Sequence, residues 1–350
     1  MKIFMHAPEE SGCTYYRNML PQLHCYRELA KAGIELVVRK DILQVETAEV
    51  FILQRVIQDT FLPHFMKLKD AGVKQIFQTD DDLWNLPLWN PAITKLSFVD
   101  RNATTLAMDY VDGIITSTQP LADVIDKKDK TTVLPNFIDP VAFHKKSEAF
   151  PYKLNDDQVV ILWAGSSSHD GDLTQIVNPV VRLIEKYGNK VQFVFFGYLP
   201  TELAEFVRMP GQEVAHLKPR YEGNILFIPG VPIRMYHEVL MAIKPDIGIA
   251  PIADCLFNYS KSNIKYLEMT LAGASFIGSD LPPYQGIEQD CGKLIAPDDE
   301  QGWFDALDEF IEDESLRKMM RENALEDVLT NHTWQAKKSI WLNYFLSLKG

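Results

Sequence analysis

Short runs of β-branched and aromatic residues alternate along the chain with longer stretches in which apolar positions recur every three or four residues. In the first part, residues 2–5, 34–39, 50–54, 74–78, 113–117 and 131–134 have the strand pattern. Between the first two runs, Tyr16, Met19, Leu20, Leu23, Tyr26, Leu29 and Ala30 line one helical face, and Gly33 stands where a helix ends. The pattern predicts a helix over 15–32, kinked at Pro21 or truly starting there.

Periodicity fades over 136–155, which carries Pro140 and Pro151, and a stronger strand series then begins. Its runs are 159–163, 191–196, 225–228, 247–250, 275–278 and 293–295, most of them separated by helical patterns. The expected fold class is α/β, two tandem Rossmann-like doubly wound domains with a cleft between them. The expected divisions are 1–152 for the first domain, 153–332 for the second, and 333–350 for a closing helix. In such sheets ligands sit beyond the carboxyl ends of the strands. Chemistry is therefore sought just after Met5, Gln78, Ser117, Trp163, Phe196 and Ala250.

Composition narrows the class. Hydrophobic residues at 46% and charged residues at 24% of 350 describe a chain that buries a core and exclude low-complexity or fibrous classes. The longest apolar runs fall far short of the ~20 residues of a membrane helix. Near the start, Glu9 and Glu10 interrupt before an apolar leader could form, so no secretory signal is expected. Cys13, Cys25, Cys255 and Cys291 have no metal-binding spacing and read as reduced thiols of a cytoplasmic protein. The net charge of −13, carried mostly by the second part, disfavours nucleic acid as the main partner.

The densest chemistry lies between Ala250 and Gly273. Lys261 and Lys265 are four residues apart at an expected helix start near Ser262, with Glu268 one turn further along that face. Two cations in a first helical turn oppose the helix dipole unless an anionic diphosphate lies against them, and Glu268 could then accept from a ribose diol. The competing reading is a solvated Lys and Glu helix face. At Trp163 to His169 a strand runs into Gly165 and Ser166, a backbone suited to phosphate oxygens, or an ordinary turn with Ser168 or Asp170 as helix cap. His169 is either a proton shuttle or phosphate donor, or a surface histidine.

Near the amino terminus, Gly12 permits a tight turn, and Tyr16 with Arg17 can face the cleft and bind a polar or anionic acceptor. Alternatively Tyr16 is core and Arg17 a surface residue. Asp80, Asp81 and Asp82 follow another strand. One reading holds Mg²⁺ or Mn²⁺ between Asp80 and Asp82; the other turns one carboxylate to an acceptor hydroxyl while its neighbours cap the next segment.

Taken together, Lys261 to Gly273, the segment from Asn136 through Ile138 to Asp139, and Trp334 to Leu348 resemble the GT-B glycosyltransferases, in particular the large retaining family 4. The common family pattern has two glutamates separated by seven residues; here Glu268 takes the second place and Ser260 the first. The spacing Phe-Asn-x-x-Lys-Ser-x-x-Lys-x-x-Glu from Phe257, the Trp-x-Gly-Ser-x-x-His loop from Trp163 and the Asp-Asp-Asp-Leu-Trp run from Asp80 are similar to a subgroup of that family.

The resemblance implies transfer of a hexosyl or pentosyl group from a nucleoside diphosphate sugar, UDP- or GDP-linked first, to a hydroxyl of a saccharide, lipid-linked or other acceptor. It implies retention of anomeric configuration and no required metal or other cofactor. The donor would lie on Gly165, Ser166, Lys261, Ser262, Lys265 and Glu268, with Lys261 and Lys265 stabilising the leaving phosphate. Tyr16, Arg17 and Asp81 would serve the acceptor, Asp81 also taking part in catalysis. The alternatives are a metal-dependent transferase using Asp80 and Asp82, a non-catalytic nucleotide-sugar-binding module, and a glycosyltransferase acting on modified DNA bases.

Overall fold

The computed structural model describes residues 1–42, 45–55, 58–144, 152, 154, 157–204 and 223–349. All twelve expected strands form, with ends moved by a residue or two. The first six are β1 (Lys2–His6), β2 (Glu35–Arg39), β3 (Val50–Gln54), β4 (Lys74–Thr79), β5 (Gly113–Thr116) and β6 (Thr131–Val133). They make one parallel sheet in the order β2-β1-β3-β4-β5-β6. The remaining strands are β7 (Val159–Ala164), β8 (Val191–Gly197), β9 (Ile225–Pro229), β10 (Ile247–Ala250), β11 (Ser275–Ser279) and β12 (Gly292–Ile295). They make a second parallel sheet, β12-β11-β10-β7-β8-β9. The expected division near residue 153 falls in the stretch 145–156, of which only Tyr152 and Leu154 are described.

Parallel strands covered by helices on both faces must be apolar throughout, which is why β7 and β8 are almost continuously buried rather than alternating. The helix Asp170–Tyr187 buries Leu173, Ile176, Val180, Leu183 and Ile184 against that sheet at three-and-four spacing. Trp303, fully buried in the same core, satisfies its indole N–H with Gln175 Oε1 at 3.0 Å.

The first helix departs from expectation. It starts at Gly12, with Ser11 Oγ accepting from Thr14 N, widens into a π-helical turn over Tyr15–Met19, and continues as Leu20–Lys31. Pro21 has no N–H to give the preceding turn and its ring crowds the carbonyl there; the wider turn supplies room, so the helix runs on. The closing helix Trp334–Ser347 packs on Leu20–Lys31. Trp334 and Trp341 donate to the carbonyls of Phe137 (2.9 Å) and Pro135 (3.0 Å), and His24 stacks on Trp334 at 5.1 Å. No helix among the described residues is long and apolar enough to cross a membrane.

Candidate active site

In each sheet the strand order reverses direction once, between β1 and β3 in the first and between β7 and β10 in the second. Loops leave in opposite directions at such a point and open a crevice beyond the strand ends. Both crevices face one cavity of about 550 Å³. From the first half it is lined by Glu9, Glu10, Gly12, Cys13 and Tyr16 after β1, Arg55 after β3, and Asp80 and Asp81 after β4. From the second half come Gly165, Ser166 and His169 after β7, Gly230 and Val231 after β9, and Lys261, Ser262, Lys265 and Glu268 after β10.

The strand β7 must bring its backbone close to β8 at this edge. A Cβ on Gly197, whose φ is +97°, would stand 2.2 Å from the Gly165 carbonyl oxygen, so the two glycines leave the cavity floor to bare backbone. Lys265 lies in the first turn of the helix Ile264–Leu271, half-buried, and its ammonium donates to the Ala164 carbonyl. Burial lowers its pKa, Glu268 opposing and Lys261 adding to the shift. Lys261 stands before that helix rather than within it, its ammonium 4.3 Å from the Phe257 ring centre. No side chain caps the helix start at Asn263, leaving its first amides available to an anion.

Glu268 is buried, yet both its oxygens are engaged: Tyr16 OH donates to one at 2.8 Å and Tyr236 OH to the other at 3.0 Å. Tyr16 reaches it across the cleft from the π-helical turn, so this bond ties the two halves together. Two further bonds cross nearby, Asn136 Nδ2 to Ser262 Oγ (2.9 Å) and Thr118 Oγ1 to the Ser260 carbonyl (2.8 Å).

On the opposite wall Arg55, with φ of +70°, aims its guanidinium among Glu9 (3.0 Å), Asp81 (2.9 Å) and Asp80 (3.7 Å). Burial works against its charge, but Cys13 and the three carboxylates outweigh this and push its pKa up. Burial, then Asp80, raises the Cys13 thiol. Among the described residues, Cys13, Asp80 and Asp81 form the group with metal-ligand proximity, and Arg55 already supplies positive charge there. Asp82 is not part of it. Its buried carboxylate accepts from Trp84 N (3.0 Å), Asn85 N (3.1 Å) and Asn85 Nδ2 (2.7 Å), capping its own loop. A cation shared by Asp80 and Asp82 therefore has no support from this geometry.

Of the residues singled out in the sequence, the structure brings Tyr16, Asp81, Gly165, Ser166, Lys261, Ser262, Lys265 and Glu268 to one cavity. Arg17 is a correction: it neither faces the cleft nor lies on the surface. It is fully buried, donating to the Leu134 carbonyl and to Asn136 Oδ1 (3.0 Å), with its guanidinium 4.7 Å from the Trp341 ring centre. The π-helical turn sends Tyr16 to the cavity and Arg17 beneath the closing helix, a rotation that ordinary helical periodicity does not anticipate. Neither Ser168 nor Asp170 caps the next helix; His169 takes that position and Asp170 accepts from Tyr198 OH at 2.6 Å. Arg55, Tyr236 and Tyr284 were missed. Arg55 carried a readable signal, being the first residue after β3.

The loop after Asp82 lays the Trp89 indole over Gly171 of the other half, where an added Cβ would fall 2.3 Å from the ring. Gly171→Ala is expected to cost roughly 1–3 kcal/mol by displacing Trp89. Denaturant titration in the wild-type and Trp89→Ala backgrounds checks this: the cost should vanish in the second, and an equal cost in both would show that Trp89 is not its cause.

No protein-family model matches the sequence, and no curated protein matches it either. Solved structures do. HepE of Anabaena, in complex with UDP and glucose, superposes with a TM-score of 0.65 at 13% identity, covering 100% of this chain and 99% of its own. The chain has the GT-B fold. OtsA superposes at 0.61 and 14% identity, over 99% of this chain and 98% of its own. TarM of S. aureus, in complex with UDP, alpha-GlcNAc-glycerol and Fondaparinux, superposes at 0.59 and 11% identity. That match covers 85% of this chain and 55% of TarM, so the chain spans about half of that protein. In the GT-B arrangement the cavity described above is the crevice between the two sheets, the position in which each half contributes its strand ends.

Proposed function

We propose that the protein is a glycosyltransferase that moves a sugar from a nucleoside diphosphate sugar, with UDP-sugars as first candidates, to an acceptor hydroxyl. The carrying observation is convergence in one cleft: Gly165, Ser166, Lys261, Lys265 and Glu268 line one wall, and Tyr16 and Asp81 the other. On this reading the donor occupies the second domain, 153–332, the acceptor the first, 1–152, and the segment 333–350 closes the first domain. The UDP complexes of HepE and TarM support the choice of nucleotide.

As the bond from the anomeric carbon to the β-phosphate oxygen breaks, negative charge grows on that oxygen. Lys261, Lys265 and the uncapped first amides of the helix Ile264–Leu271 are placed to stabilise it, in a cleft where low solvation strengthens the effect. The acceptor hydroxyl adds to the anomeric carbon and loses its proton to the departing phosphate oxygen, so atoms balance without a protein base. Asp81, steadied by Arg55, would orient that hydroxyl. Retention, independence of metal and a cytoplasmic setting are parts of this proposal. They rest on the family resemblance, on the Arg55 guanidinium beside Asp80 and Asp81, and on the cysteine pattern.

The test is nucleotide release from UDP-, GDP-, ADP- and dTDP-sugars in EDTA. Release from one donor without metal is expected. Release that appears only on adding Mn²⁺ would overturn the metal-free mechanism. Tight donor binding with no turnover under any condition, acceptors included, would favour a binding module, in keeping with Ser260 at the first position of the two-glutamate pattern.

A further inference from the structure

His169 and Asn258 belong to two of the three sequence motifs that resemble the glycosyltransferase subgroup, and the mechanism above uses neither. A third residue, unremarked in the sequence, joins them. Asp172, with a side chain 1% exposed, sits in the first turn of the helix Asp170–Tyr187. Its Oδ1 accepts from Asn258 Nδ2 at 2.6 Å and from Ala253 N at 2.9 Å, and its Oδ2 faces His169 Nδ1 at 2.6 Å. A carboxylate with its other oxygen already saturated accepts here, which assigns the ring proton of His169 to Nδ1 and leaves the Nε2 lone pair unprotonated. The ring edge that carries Nε2 lies beside the cavity floor, since a Cβ on Gly165 would meet His169 Cδ2 at 3.4 Å, and Trp163 holds the ring edge-on at 6.0 Å. His169 itself lines the cavity with Lys261 and Lys265.

An unprotonated nitrogen is a poor neighbour for a diphosphate, because lone pair would face lone pair. Asp172, meanwhile, is a buried carboxylate whose hydrogen bonds in the free protein come from neutral donors, and it would gain from a cationic partner. Both mismatches disappear if the imidazole gains a proton when the anion arrives. We propose that Asp172 and His169 form a proton-accepting dyad of the donor site: Asp172 positions the ring, and His169 Nε2 takes a proton from solvent as the diphosphate binds, then donates it as a hydrogen bond to a phosphate oxygen. The inference rests on the donor reading given above.

The surrounding charges agree. Burial first, then Lys261, and more weakly Lys265, depress the imidazole to about 4 in the free protein, against the pull of Asp172. A bound diphosphate offsets both lysines. Asp170, the other acid in the first turn of that helix, is tied to Tyr198 OH. Tyr198 and Tyr284, raised first by burial, remain neutral phenols. The sign follows: with a bound-state pKa above the free value of about 4, lowering the pH through the bound value strengthens binding, by up to about tenfold per pH unit, until the free His169 also protonates.

The experiment is calorimetric titration of the protein with UDP-glucose and with GDP-mannose, whose diphosphodiesters do not themselves titrate near neutrality. It is run between about pH 5.5 and about pH 8.5 in buffers of different ionisation heat. Uptake approaching one proton per ligand at the acid end is expected, fading toward the alkaline end. His169→Gln should lose the uptake and bind at least about tenfold more weakly at the acid end, converging on wild type at the alkaline end. In Asp172→Asn the amide donates toward Nδ1 and moves the ring proton to Nε2, so binding should persist while uptake disappears. Binding with no uptake in the wild type, or equal uptake in His169→Gln, would overturn the dyad and leave the donor reading standing. Failure of both nucleotide sugars to bind at any pH would overturn the donor reading, and the dyad with it.

Discussion

Lys265→Ala is expected to lower kcat for sugar transfer by roughly 10²–10³-fold while leaving KM for the donor within a few-fold. The effect depends on when the charge appears. In the ground state the diphosphate charge is shared over several oxygens and met by Lys261, the glycine-lined backbone and the helix amides as well. In the transition state the new charge concentrates on the departing oxygen, and a preorganised donor aimed there is worth about 2.7–4 kcal/mol. Lys265 is preorganised: its ammonium is already half-buried and held by the Ala164 carbonyl, so it pays little reorganisation when the bond breaks. Burial also means that it loses its proton below the usual 10.5, and activity should fall earlier on the alkaline side than a solvent-exposed lysine would allow. Steady-state kinetics with matched denaturation curves checks the result. A drop confined to KM would show that Lys265 binds substrate and transition state alike.

Glu268→Ala should weaken nucleotide binding by about 10²–10³-fold, the loss of two hydrogen bonds to a charged group at ~1.5–3 kcal/mol each, moderated by water entering the space. It should also cost stability, on the order of 1–3 kcal/mol, because Tyr16 and Tyr236 would keep buried hydroxyls without their acceptor. The two effects separate in one experiment. Binding of UDP and of its 2′-deoxy analogue is compared in wild type and in the variant: the wild type should discriminate between them and Glu268→Ala should not. Equal discrimination in both proteins would place the ribose elsewhere and leave Glu268 as an interdomain tie alone.

The legible and illegible parts of this site differ in a consistent physical way. Lys261, Lys265 and Glu268 could be read because helical spacing is a local property, and because two cations at a helix start are unfavourable without an anion to meet them. Gly165 and Ser166 could be read because a strand running into glycine and serine is itself a local signal. The helix boundary was less secure: Lys261 lies before the helix, since Asn263 ends the preceding turn and the first helical residue is Ile264. Arg17 was misplaced because one π-helical turn changes the direction of every side chain in it, a rearrangement made where Pro21 and the packing of Trp341 meet.

The twelve strands, their parallel pairing and their separation into two sheets follow from alternation of apolar runs and amphipathic helices, because hydrophobic periodicity is written into consecutive residues. The resemblance carried by short motifs added a reaction class to that architecture. Tertiary structure alone decided which side chains share a space: Tyr16 on Glu268 across the cleft, Arg55 between Asp80 and Asp81, and Asn258 on Asp172 from a second segment. These pairs are separated by as many as 252 residues along the chain. Nothing local specifies such pairings, because the energy that selects them comes from burial and hydrogen bonding that exist only once the two sheets have formed and faced each other.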